Sequence, residues 1–191
     1  YKVLNYKVKG NGKPVVLVHG FLENQKIWEF LHLEQSGYQS ILIDLPGHGL
    51  SESEFVLHSM EYMADEIIKV LDKEEINEAF FIGHSMGGYV ILALIEKYPE
   101  KVKGLSMFFS STFADSEDKK VQRLRAVDSA HNNLDAFINI GVPNLFNPNL
   151  LQDLLDEIET AKSWAKEASL QGITAAILGM RERPDRTDVL K

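Results

Sequence analysis

Ser85 is the residue whose neighbours most directly suggest chemistry, at the centre of Gly83-His84-Ser85-Met86-Gly87. The apolar run Ala79-Phe80-Phe81-Ile82 precedes this pentapeptide, and a helix-compatible apolar stretch follows from Tyr89. A G-x-S-x-G between a buried strand and a helix is a nucleophile elbow. The central residue of so sharp a turn takes strained backbone angles, and the adjoining backbones come close, so flanking residues without Cβ are required. The serine hydroxyl is left protruding above the first amides of the helix. Those unpaired donors favour developing negative charge.

The elements that must position this turn are legible on both sides of it. Residues 2–8 alternate as an edge strand, with Gly10-Asn11-Gly12 as a turn. Pro14-Val15-Val16-Leu17-Val18 and Ser40-Ile41-Leu42-Ile43-Asp44 read as parallel strands buried on both faces. Between them a helix is expected over residues 25–35, broken by Gly37. Ser59 is placed to cap a helix over 60–71. Further on, a helix over 86–98 stops at Pro99, and 102–109 is another strand.

This alternation predicts βαβ units and a mostly parallel sheet flanked by helices, with ligands at the carboxyl ends of the strands. His19, Asp44, Ser85 and Ser110 fall at such ends. From Phe113 onward only helical patterns appear, over 118–131, 134–140, 149–168 and 170–180. The expected organisation is an α/β core over residues 1–110 and a helical cap over 111–191.

Length and composition narrow the classes. A chain of 191 residues supports one domain with a real core. A net charge of −8 leaves no basic stripe for phosphates, which argues against a nucleic-acid partner. The absence of cysteine removes disulfides and thiolate metal sites and suits a reducing cytoplasm. No apolar run is long enough to span a bilayer, and Tyr1 in place of an initiator Met suggests a longer gene product.

The segments His19-Gly20-Phe21, Asp44-Leu45-Pro46-Gly47-His48-Gly49-Leu50-Ser51 and Gly83-His84-Ser85-Met86-Gly87-Gly88, in this order and spacing, resemble the α/β-hydrolase family. The likeness is to its small capped esterase, lactonase and haloperoxidase-like members, and it is strongest over residues 1–110. The resemblance implies Ser85 as nucleophile, with the backbone amides of Phe21 and Met86 as the oxyanion hole. It implies a small-molecule acyl substrate and no cofactor or metal. A serine at the elbow speaks against haloalkane dehalogenase and epoxide hydrolase chemistry, which use aspartate there. Perhydrolysis and C–C hydrolysis stay open, as does a non-catalytic binding module on the same fold. The cap offers Phe113, Phe137, Leu145, Phe146, Trp164 and Ile177 as pocket walls, although helix packing is the plainer role for most of them.

The other titratable residues in these motifs have structural readings. His19 is expected to shape the oxyanion loop through a buried hydrogen bond, His48 to stabilise a turn, and Asp44 to tie down the loop that follows it. His84 should pack away from the serine hydroxyl, and His32 and His58 carry no signal. The family's triad runs serine, acid, histidine along the chain. Only His131 follows Ser85, and Asp115 lies between them, yet His131 falls inside a predicted cap helix. The better expectation is that the gene product continues past Lys191 with two more strands bearing the acid and the histidine. The sheet would then present an exposed edge here, open to self-association.

Overall fold

Alternating strands and helices build a single five-stranded sheet in this computed structural model, which describes residues 3–191. The strands are β1 (Tyr6–Lys9), β2 (Lys13–Val18), β3 (Tyr38–Ile43), β4 (Ala79–His84) and β5 (Val102–Phe108), in the order β1-β3-β2-β4-β5. β1 runs antiparallel to β3, pairing Tyr6 with Ile43, and the other pairings are parallel. Central β2 and β3 carry fully buried β-branched and leucine side chains, Val16 to Val18 and Ile41 to Ile43. Continuous apolar runs of this kind need cover on both faces. β1 starts at Tyr6, and Lys2 of the expected edge strand lies outside the described residues.

Two helices cover one face of the sheet. In α1 (Met60–Lys73) the Ser59 hydroxyl accepts from the Tyr62 amide, and Met60, Met63, Ile67, Val70 and Leu71 turn inward. α2 (Met86–Lys97) is apolar nearly all round and is buried from Met86 to Leu94, Tyr89 excepted. After β5 come α3 (Glu117–Asn132), α4 (Leu134–Gly141), α5 (Leu155–Ala165) and α6 (Leu170–Glu182). Ala130, Ile138, Ile173, Ala176, Ile177 and Met180 join Val16, Ile43, Met63 and Ile91 in one continuous apolar cluster. The helical segment and the sheet thus share a core. No helix among the described residues is long and apolar enough to cross a membrane.

Two predicted helices come out differently. Residues 25–35 form two 3-10 turns, Gln25–Trp28 and Leu33–Ser36, in place of one helix. The Asp44 carboxylate captures the Gln25 amide at 2.8 Å, while Trp28 and Ile27 are drawn onto the second face of the sheet. Gly37, left-handed at φ 76°, closes the second turn. These tethers outweigh the local helical preference. Over 149–168 the α-helix begins only at Leu155, because Pro148–Leu150 forms a separate turn in which Asn147 accepts from the Asn149 amide. Among the described residues β5 pairs only with β4, so its outer edge is open, and Phe108 and Phe109 beside it are exposed.

Candidate active site

At the junction of β4 and α2, Ser85 takes φ 50° and ψ −115°. A non-glycine residue on that side of the map costs roughly 1–2 kcal/mol and persists only where its surroundings hold it. The surroundings do so: the Ser85 amide donates to the Phe108 carbonyl (2.9 Å), and its carbonyl accepts from the Gly88 amide (3.0 Å) and the Ser110 hydroxyl (2.8 Å). Gly87 is required by closeness, since a Cβ there would lie 2.3 Å from the Val18 carbonyl oxygen. Ser85 is half-buried, and its hydroxyl makes no hydrogen bond among the described residues. Met86 opens α2, where the first amides have no partner within the helix.

The loop after β2 comes up against this turn. A Cβ on Gly20 would lie 3.2 Å from the Ser85 Cβ. Behind the loop, His19 is fully buried; its Nε2 accepts from the Leu45 amide (2.9 Å), and its Nδ1 lies 2.7 Å from the Gly20 carbonyl oxygen. Burial, reinforced by neighbouring His48, pushes the His19 pKa down to about 3. Buried His48, its Nδ1 3.1 Å from the Pro46 carbonyl oxygen, is also shifted down by burial. The Asp44 carboxylate accepts from the amides of Gln25 and Leu50 and from Asn5 Nδ2. These three side chains tie the loops together, as their positions in the sequence suggest. Phe21 lies half-buried on the same loop, its ring edge-on to His48 at 6.1 Å.

His84 does more than pack. Its Nδ1 is 2.9 Å from Glu23 Oε2, and the same carboxylate oxygen accepts from the Gly20 amide at 2.6 Å. The hydrogen bond to Glu23 raises the His84 pKa against the opposing effect of burial. Nothing in the sequence flags Glu23, which reaches a partner 61 positions away. His58, also without a sequence signal, is buried, with Nε2 2.7 Å from the Ser53 hydroxyl and a pKa lowered to about 4 by burial.

Glu23 and His84 belong to the wall of an apolar cavity of about 460 Å³, closed on the other side by Val142, Leu145, Phe146 and Trp164. Three of the six cap residues read as walls from the sequence are therefore at this cavity. Ile177 is instead sealed in the core, Phe137 packs against it, and Phe113 is exposed. A larger open groove of about 1030 Å³, between residues 3–6 and α1, contains no residue of the elbow.

Asp115 and His131 are not brought to Ser85 as partners. Asp115 is buried between Arg183 (2.8 Å) and Arg123 (3.0 Å), and His131 is exposed near the end of α3.

The family described as alpha/beta hydrolase fold matches residues 13–154. A thermophilic esterase from Thermogutta terrifontis superposes with a TM-score of 0.91 at 30% identity, over 97% of this chain and 70% of that one. An enol-lactonase from Burkholderia xenovorans LB400 shares the fold at a TM-score of 0.88 and 18% identity, over 98% of this chain and 74% of the other. Among curated sequences, the dihydrolipoyllysine-residue acetyltransferase component of an acetoin cleaving system from Pseudomonas putida is 27% identical over 94% of this chain and 49% of its own length. A putative non-heme haloperoxidase of Mycobacterium phage D29 is 35% identical over 49% of this chain and 34% of its own. The chain spans about half or less of these two curated relatives. With the match over 13–154 and the elbow between β4 and α2, the chain belongs to the α/β-hydrolase fold family.

Proposed function

We propose that this protein cleaves a carboxylic ester, lactone or related acyl compound through an acyl-enzyme on Ser85. The observation that carries the reading is the strained Ser85 backbone, φ 50° and ψ −115°, at a strand-to-helix turn with an uncommitted hydroxyl. In this reading the hydroxyl attacks the acyl carbon, and the amides of Phe21 and Met86 receive the resulting oxyanion. Each such donor is worth on the order of 3 kcal/mol to the transition state. Water then releases the acyl group. The family placement supports the reading, and so do the esterase relatives, such as YbfF of Escherichia coli, 33% identical over half of this chain.

The walls of the 460 Å³ cavity, which His84 lines and Ser85 itself does not, suit a small to medium apolar acyl group held beside the elbow. The histidine base and its acid partner come, in this proposal, from chain beyond Lys191, because Asp115 is committed to two arginines and His131 faces solvent. The setting proposed is the reducing cytoplasm, which a cysteine-free chain suits. In the 191-residue chain taken by itself, the open β5 edge supports association of two copies.

A fluorophosphonate probe applied to the full gene product tests the chemistry. Labelling lost in Ser85→Ala, together with turnover of p-nitrophenyl esters, is the expected result. A protein that neither labels nor turns over any acyl substrate would leave the elbow as the structural feature of a binding module.

A further inference from the structure

One oxygen of Glu23 serves two partners that belong to opposite sides of the site. Oε2 accepts from the Gly20 amide, in the loop after β2, and pairs with His84 Nδ1, the residue immediately before Ser85. The loop between these anchors is strained at Leu22, which has φ 62°. A leucine in the left-handed region stays there only when something outside it holds the backbone. Gly20 has no room for a side chain, since a Cβ would lie 2.8 Å from Glu23 Oε2 and 3.0 Å from His84 Nδ1. Phe21 stands between the tied amide and the strained residue.

We propose that Glu23 is the positioning residue of the oxyanion loop, holding the Phe21 amide in register with the Ser85 turn through the carboxylate oxygen that Gly20 and His84 share. The proposal rests on the acyl-transfer reading above and assigns a role that the sequence does not suggest. It also has an electrostatic side. A lone carboxylate beside an oxyanion hole opposes the charge that the hole must receive, whereas one paired with an imidazolium does not.

The other charged groups around His84 are few. His19, behind the loop, is neutral except in strong acid. Asp156 and Glu157 of α5 face the same cavity from its far side. The ring of Phe109, 6.0 Å away and edge-on, carries no charge. Glu23 is therefore the group that favours the protonated form of His84, its hydrogen bond being the leading cause of the upward shift. When His84 loses that proton at higher pH, the pair acquires a net negative charge next to the oxyanion site.

The test uses the full gene product and its Glu23→Gln, Glu23→Ala and Ser85→Ala variants. Three quantities are read: the rate of fluorophosphonate labelling across neutral and alkaline pH, the exchange of the Gly20 and Phe21 amides, and the titration of His84 by NMR. In Glu23→Ala both amides should exchange faster and labelling should fall by about tenfold to a hundredfold, the scale of a donor misplaced by roughly 1 Å. Glu23→Gln keeps an acceptor for the Gly20 amide, so protection should return. His84 should then titrate at lower pH, and the alkaline decline in labelling should move down with it. A purely structural role for Glu23 would not move that decline.

Wild-type labelling and exchange in Glu23→Ala, or an unmoved His84 titration in Glu23→Gln, would overturn the proposal. If the wild-type gene product labels no faster than Ser85→Ala, the acyl-transfer reading fails. Exchange and titration then still decide whether the clamp exists.

Discussion

Asp115 is held against Arg183 at 2.8 Å, and the Arg183 guanidinium lies over the ring of Tyr89, 3.9 Å from its centroid. Both charged side chains are almost wholly buried, and Arg183 also donates to the Met180 carbonyl. The pair joins the segment after β5 and the end of α6 to a residue on α2. Both Asp115 oxygens are thereby paired with arginines, Oδ1 with Arg183 and Oδ2 with Arg123.

Breaking this pair from one side should be costly, because it strands a buried charge. Arg183→Ala is expected to lower stability by about 3 kcal/mol, read as a lower urea midpoint. Arg186, which pairs with Glu61 of α1 and Glu96 of α2, is a parallel anchor, so the double variant should unfold the cap first. Amide exchange resolved along α3 and α6 would report that order.

Gly87→Ala should force α2 away from β2, given the 2.3 Å approach of the missing Cβ to the Val18 carbonyl oxygen. The expected cost is about 2–3 kcal/mol, typical of overpacking. Labelling at Ser85 should disappear with it. A variant that keeps both stability and labelling would contradict the tight turn on which the site depends.

Acid should destabilise the protein through its buried histidines, and the sign is fixed by their lowered pKa values. His19 and His58 stay neutral in the fold down to about 3 and about 4, whereas unfolded histidine takes up its proton near 6.5. The unfolded state therefore binds more protons below 6.5, and stability falls as the pH drops from there toward 4. Above that window the contribution is fully present. Each histidine adds a slope of up to about 1.4 kcal/mol per pH unit, measurable as the shift of the urea midpoint between neutral and acidic buffers.

Phe109 has φ 49° and is 90% exposed, so the fold bears strain there for a side chain that covers little. Phe109→Gly is expected to raise stability by about 1 kcal/mol in thermal unfolding. Its edge-on contact with His84 is lost, so the His84 titration should be followed in the same variant.

In the 191-residue chain the open β5 edge should give concentration-dependent association in sedimentation velocity. Ser106→Lys, which places a charge on that strand, should reduce it. An unchanged sedimentation coefficient at all concentrations in the wild type would remove the edge as an interface.

Much of the architecture was legible because it depends on neighbours in the chain. The β-branched runs at Val15 to Val18 and Ile41 to Ile43 became central strands, Ser59 capped α1, and Pro99 followed the end of α2. The elbow was readable from its glycine spacing and flanking apolar runs, although the contact that requires Gly87 is with Val18 of β2, far away in the chain. The roles of His19 and Asp44 as loop ties also followed from their places at strand ends.

What the tertiary structure alone decided depends on contacts between distant residues, where any carboxylate can in principle find any cation. Glu23 had no local reason to meet His84, nor Asp115 to be enclosed by Arg123 and Arg183. The helical pattern over 25–35 yielded to Asp44 and to the sheet face that draws in Trp28, because tertiary hydrogen bonding and burial outweigh a few tenths of a kcal/mol of propensity per residue. Periodicity likewise could not distinguish cap residues that wall the cavity from those that fill the core, since Trp164 and Ile177 are equally apolar and only packing separates them.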